Sequence, residues 1–144
     1  MEEKKWSEND LIKHFKKDKF ITFIGIEPLE AKLGYGKAKL ELKEHHMNSV
    51  DVCQGGAMFT LADYAFAIAS NSHGRVALGI NTSMNFVKGA VLGDTLFAEA
   101  KEDSLGYKLA SYNVRVSNQK DETIALFQGM VYRKSQSLEK FTKI

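Results

Sequence analysis

The chain is poor in the residues that staple or interrupt a fold. It has one cysteine, Cys53, one proline, Pro28, and one tryptophan, Trp6, in 144 residues. A single cysteine excludes an intrachain disulfide framework, and four scattered histidines beside it offer no zinc-ligand spacing. Neither sign of charge dominates: 20 basic and 18 acidic residues leave a net +2. The signs are interspersed except for Lys13, Lys16, Lys17 and Lys19, which is not the balance of a nucleic-acid-binding protein. Long apolar runs are lacking too. None approaches the roughly 20 residues of a membrane-spanning helix, and the opening MEEKKWSEND is charged where a secretory leader would be apolar. A cytoplasmic chain is the expectation.

What is present is an apolar fraction of 44%, enough for one domain of ordinary size with a real core. Ser7, with Asp10 three residues later and Trp6 placed to staple against Leu11, predicts a short N-terminal helix over residues 6–18. Leu11, Ile12 and Phe15 form its apolar stripe, with His14 and the lysines on the solvated face. The apolar, β-branched stretch Phe20 to Ile26 reads as strand-like. In GKAKLELK, Ala38, Leu40 and Leu42 alternate with charged residues, the period of a half-exposed strand.

The segment QGGAMFTLADYAFAIAS, residues 54–70, differs from all of this. Between Ala57 and Ala69 only Thr60, Asp63 and Tyr64 carry polar side-chain atoms, so a helix here would be apolar on every side and buried. A carboxylate in such a run is expensive unless it has dedicated donors or lines a cavity that admits water and substrate. NSHG then closes the helix, with Gly74 near its C-terminus. Four strands follow, near Ala77 to Val87, Asp94 to Glu102, Tyr107 to Asn118 and Thr123 to Lys134. Their short connections predict antiparallel neighbours, and the tail SQSLEKFTKI reads as frayed or loosely docked. One apolar helix buried by a sheet that curls around it is an α+β solution whose edges a symmetric partner would cover.

The order Asn48, five residues, then QGGAMFTLADYAFAIASNSHG, then NTSMNFVKGAVLGDTLFAEA, then ALFQGMVYRK resembles the hotdog-fold acyl-CoA thioesterases of the phenylacetate-degradation (PaaI-like) type. The resemblance runs from about Gly25 to Lys134 and implies one hotdog domain over 1–144. In it a curved antiparallel sheet of five to six strands wraps one long helix, behind a short N-terminal helix. It also implies a homodimer, and a tetramer as a dimer of dimers. No metal or other cofactor is implied, coenzyme A being part of the substrate, and no nucleic acid or membrane partner.

Carried over residue by residue, Asp63 matches the catalytic carboxylate, a general base on water or a nucleophile at the thioester carbonyl. Gly55 and Gly56 fall at the helix N-terminus, where backbone N–H groups can polarise that carbonyl. Asn48 matches a residue that positions the water or the carbonyl. Phe59 and Thr60 lie one turn before Asp63, with Phe59 facing an acyl pocket. Asn81, Thr82 and Ser83 match a strand that lines the partner's site, though ordinary strand polarity explains them equally. Lys88 stands where a basic residue meets the coenzyme A phosphates, or is a solvated turn lysine. The departure is Gln54, where the family usually has His: a Gln amide can donate but cannot titrate. His45 and His46 read as surface histidines and Cys53 as a small buried thiol. Hydrolysis of an acyl-CoA is thus one expectation; a non-catalytic acyl-CoA or acyl-carrier binding module of the same fold is the alternative. A hotdog dehydratase is weaker, because no histidine accompanies Asp63 on the helix.

Overall fold

The computed structural model describes residues 5–141. After helix α1 (Glu8–Phe15) and helix α2 (Lys19–Ile24) come strands β1 (Glu27–Lys32) and β2 (Tyr35–Glu41). The long helix α3 (Gly55–Asn71) follows, and then β3 (Arg75–Phe86), β4 (Thr95–Leu105), β5 (Leu109–Ser117) and β6 (Thr123–Ser137). The six strands form one antiparallel sheet in the order β1-β2-β4-β5-β6-β3. Its concave face holds α3, as the resemblance implies.

Small residues let the helix approach. Gly36, Ala38, Ala98, Ala100 and Ala110 are buried on the strands, and a Cβ on Gly36 would stand 2.6 Å from the Ala65 carbonyl oxygen. Into the space on β6 goes one large ring. Phe66 packs edge-on to Tyr112, with centroids 5.7 Å apart, and against Phe127 at 5.4 Å, and a Cβ on Gly129 would come within 2.7 Å of it. Leu61, Phe66 and Ile68 are almost wholly removed from water, each worth about 1.5–3 kcal/mol of apolar transfer.

Three expectations about the elements are corrected. Phe20 to Ile26 is not a strand: Asp18 accepts the Ile21 N–H at 3.0 Å and caps α2, and Gly25, at φ +97°, ends it in the left-handed conformation. A cap at each end overrides the β-branched composition. Strand β1 starts beyond it and contains Pro28, tolerated because β1 is an edge. The strands after the helix are not a simple meander, since β3 crosses the sheet to pair with β6, from Arg75↔Ser137 to Phe86↔Ala125. The tail is not frayed through residue 141: β6 runs to Ser137, and buried Leu138 donates its N–H to the Gly74 carbonyl at 2.8 Å.

Ser7 and Asp10 do form a capping box. His14, expected on the solvated face, is half-buried between Trp6 and Phe15. Burial, and next the Lys17 charge, lower its pKa.

Candidate active site

Helix α3 is not buried all round. Gly56, Phe59 and Asp63 are exposed, with Thr60 and Ala67 half-buried beside them. Positions 56, 59/60, 63 and 67 trace one helical stripe, so the carboxylate lies on the single face that the sheet leaves open. Its pKa is nonetheless raised, first by desolvation among the packed atoms around it and second by the Asp18 carboxylate. Asp18 belongs to the turn between α1 and α2, which is tied to α3 at the next residue: the Tyr64 hydroxyl donates to the Phe15 carbonyl at 2.8 Å.

The start of α3 is set by a pinned loop. Gln54 donates its backbone N–H to the His46 carbonyl at 2.8 Å, and Cys53 donates to the Ala90 carbonyl at 2.8 Å. Asn48 Oδ1 accepts the N–H groups of Val50 and Val52 at 2.9 and 3.2 Å, which shapes a turn that takes Asp51 to φ +61°. His46, expected at the surface, is only 3% exposed. Its Nδ1 accepts the Lys43 N–H at 2.9 Å, so its Nε2 carries the hydrogen donated to the Ile24 carbonyl at 2.7 Å. It is a structural bolt between α2 and the loop, with neither ring nitrogen turned to Asp63. His45 is exposed, as expected. Cys53 is the buried thiol expected, and burial pushes its pKa up to about 11.

Gln54 is the N-cap of α3, and its side-chain Oε1 accepts the Gly56 N–H. Beyond it the Phe86 ring covers Gly55, 3.2 Å from where a Cβ would stand. Thr60 Oγ1 donates back to the Gly56 carbonyl at 2.8 Å, and Phe59 meets Phe127 edge-on with centroids 5.6 Å apart. The chain therefore brings together Gln54, Gly55, Gly56, Phe59, Thr60 and Asp63 at the start of one helix.

The remaining residues stand elsewhere. Asn81 and Ser83 lie opposite Met130 and Gln128 on β6, both exposed, on the sheet face turned away from α3. Ser83 there lines a shallow groove with Asn85, Glu99, Lys101, Asn113 and Gln128. Thr82, opposite Gly129, points to the other face. Lys88 is ion-paired with Glu122 at the sheet's end. Two features escaped sequence reading: the Asp18 turn beside Asp63, and Phe86 over Gly55. Only the first had a usable signal: Asp18 is an N-cap residue type placed just ahead of the run that forms α2. Among the described residues no group of three His, Cys, Asp or Glu side chains gathers as a metal centre would need, and no helix is long and apolar enough to cross a membrane.

A curved antiparallel sheet gripping one helix is the hotdog architecture, and here a carboxylate stands on the helix's open face two turns from its N-terminus. The thioesterase superfamily profile matches residues 51–125. A protein of Archaeoglobus fulgidus, classed among the esterases, is 47% identical over 119 residues, 83% of this chain and 77% of its own. The acyl-coenzyme A thioesterase PaaI of Escherichia coli K12 is 31% identical over 119 residues, covering 83% of this chain and 85% of that one. The solved structure of the E. coli PaaI protein superposes with a TM-score of 0.83 over 85% of this chain and 89% of that one, at 30% identity. The chain belongs to the thioesterase superfamily and is a PaaI-like member of it.

Proposed function

We propose that this protein hydrolyses a coenzyme A thioester to the free acid and coenzyme A. Water adds to the thioester carbonyl while Asp63 takes its proton, the C–S bond breaks, and the departing thiolate of coenzyme A is protonated. Attack by the Asp63 carboxylate itself, through an anhydride that water then opens, is the alternative route on the same residue. The Gly56 N–H at the helix N-terminus polarises the carbonyl. Gly55 and Phe59 border the acyl group, Asn48 and Gln54 orient the reacting groups, and Lys88 meets the nucleotide phosphates by exchanging its Glu122 partner. The carrying observation is the open stripe of α3 with Asp63 and Gly56 on it, in a chain related to a protein named as an acyl-CoA thioesterase.

The working form we propose is a cytoplasmic homodimer, and a tetramer as a dimer of dimers, with the whole chain as one hotdog unit. Exposed Leu78, Ile80, Phe86 and Val87 on and beside edge strand β3 support pairing of that edge with a second copy. That pairing would bring the partner's Thr82, which lies on the face that holds the helix, toward Asp63. No nucleic acid or membrane enters this reading.

The test is thiol release from a panel of acyl-CoAs by the purified protein. Turnover with at least one acyl group is expected. Tight binding with no turnover would select the non-catalytic acyl-CoA or acyl-carrier module, which one observation favours: Gln54 stands where the family has His and already occupies the Gly56 amide.

A further inference from the structure

We infer that the Gln54 side chain is a displaceable occupant of the carbonyl site, holding the Gly56 N–H in the free enzyme and giving it up when a thioester carbonyl binds. This rests on the assignment of that N–H to the carbonyl. Three observations carry it. The Oε1 atom of Gln54 already accepts the Gly56 N–H, and it can curl back so far because residue 56 has no side chain: a Cβ there would stand 2.9 Å from that oxygen. Substrate carbonyl and Gln54 amide therefore compete for one donor.

The second observation is the cap's chemistry. Favoured N-caps are the short side chains Ser, Thr, Asp and Asn, which reach the amides with little rotamer freedom to lose. Glutamine freezes more torsions for the same neutral bond, and both Gln54 and Gly56 are exposed, so water replaces the bond at small cost. The third is that nothing else needs to move. The Gln54 N–H is fixed on His46, Cys53 on Ala90, and the preceding turn on Asn48 Oδ1. Exchange is a side-chain rotation on a fixed backbone. Gln54 is thus a positioning residue whose displacement selects ligands that carry a carbonyl acceptor.

The experiment measures binding of a non-hydrolysable ketone analogue of acyl-CoA, and of coenzyme A alone, to wild type and to Gln54→Ala, Gln54→Asn and Gln54→Glu, with melting temperatures to confirm folding. Gln54→Ala vacates the amide, so the ketone analogue binds about three- to tenfold more tightly, the range set by the strength of a cap. Coenzyme A, lacking the carbonyl, binds unchanged. Gln54→Asn, a better cap, weakens the ketone analogue. Gln54→Glu weakens it further relative to coenzyme A, because its charge strengthens the competing bond at the helix N-terminus, and binding recovers as pH falls and the new carboxylate is neutralised. Unchanged or weaker ketone binding by Gln54→Ala overturns the inference. So does an equal change for coenzyme A. Because the readout is binding, a wild-type protein with no turnover would overturn the hydrolase reading while leaving this one decided by the ketone data.

Discussion

The two ends of α3 manage their polar groups in opposite ways. At the C-terminal end every exchange is closed. Asn71 donates from Nδ2 to the carbonyls of Ala67 and Ala77 and accepts the Ala77 N–H on Oδ1. Ser72 Oγ donates to the Ala69 carbonyl and accepts the Gly34 N–H, both at 2.7 Å. Just beyond, His73 and Tyr112 both donate to Glu102 Oε1 at 2.7 Å, and burial, then Glu102, raises the Tyr112 pKa. At the N-terminal end the loop backbone is just as firmly held, but Gln54, Gly56 and Asp63 face solvent. Under the proposed function the contrast separates stability from reactivity: polar side chains tied to fixed partners at one end, exposed ones at the other.

The sharpest test of that contrast is Asp63→Asn, which is expected to lower kcat by about 10³-fold, within the range of a lost general base, while the melting temperature holds or rises. Near-wild-type turnover by the folded variant would remove Asp63 from the chemistry.

Asn71→Ala should break the opposite end. It strands the buried Ala77 N–H and takes a donor from the Ala67 and Ala77 carbonyls, at a cost of about 2–4 kcal/mol, read by denaturant unfolding. The activity of the molecules that remain folded should not change. A tenfold fall in their kcat would mean that the two ends are not separable.

A smaller effect is expected from pH. Because the Asp63 pKa is raised in the fold, kcat/KM should, with Asp63 as the proposed base, fall on the acid side at a higher pH than an unperturbed carboxylate would give. The linked stability has the matching sign: it is fully present below the unfolded carboxylate pKa and is lost as pH rises through the raised value. Asp18→Asn keeps a side chain that caps α2 but removes the second cause of the shift, so the acid limb should move to lower pH. An unmoved limb would show that Asp18 does not act on Asp63.

The least effect is expected for Lys88→Ala. KM for an acyl-CoA should rise about two- to threefold, as for an exposed charge contact, with kcat unchanged and the effect fading at high salt. The same acyl group on a truncated pantetheine should show no defect. An equal KM rise on both would place Lys88 away from the nucleotide.

Much of this was legible in the sequence because each signal was local. The Ser7–Asp10 capping box, the alternation over Ala38 to Leu42 and the strands from residue 75 onward follow from spacing alone, and the QGG…LAD run pointed to the candidate site. What was not legible depends on distant partners. Phe20 to Ile26 looked like a strand until Asp18 and Gly25 capped it. Nothing in the β3 sequence says that it pairs with β6 and not with β4. His46 reads as a surface residue because its two partners, the Ile24 carbonyl and the Lys43 N–H, are supplied by the fold. The apolar run of α3 promised burial on every side, but a single sheet can grip only part of a helix's circumference.

The sheet's two borders carry a last consequence. The β1 border has Pro28, which has no amide hydrogen to offer a neighbouring strand, an irregular register between Pro28 and Glu30, and charged side chains at Glu27, Glu30 and Lys32. The β3 border has no proline and no charged residue from Val76 to Phe86. A body that can be extended at one border only cannot polymerise: the first strand added there uses up the sole growing end. If copies of this chain join along β3 as proposed, the solitary proline at the other border would make that pairing self-terminating, stopping it at two copies.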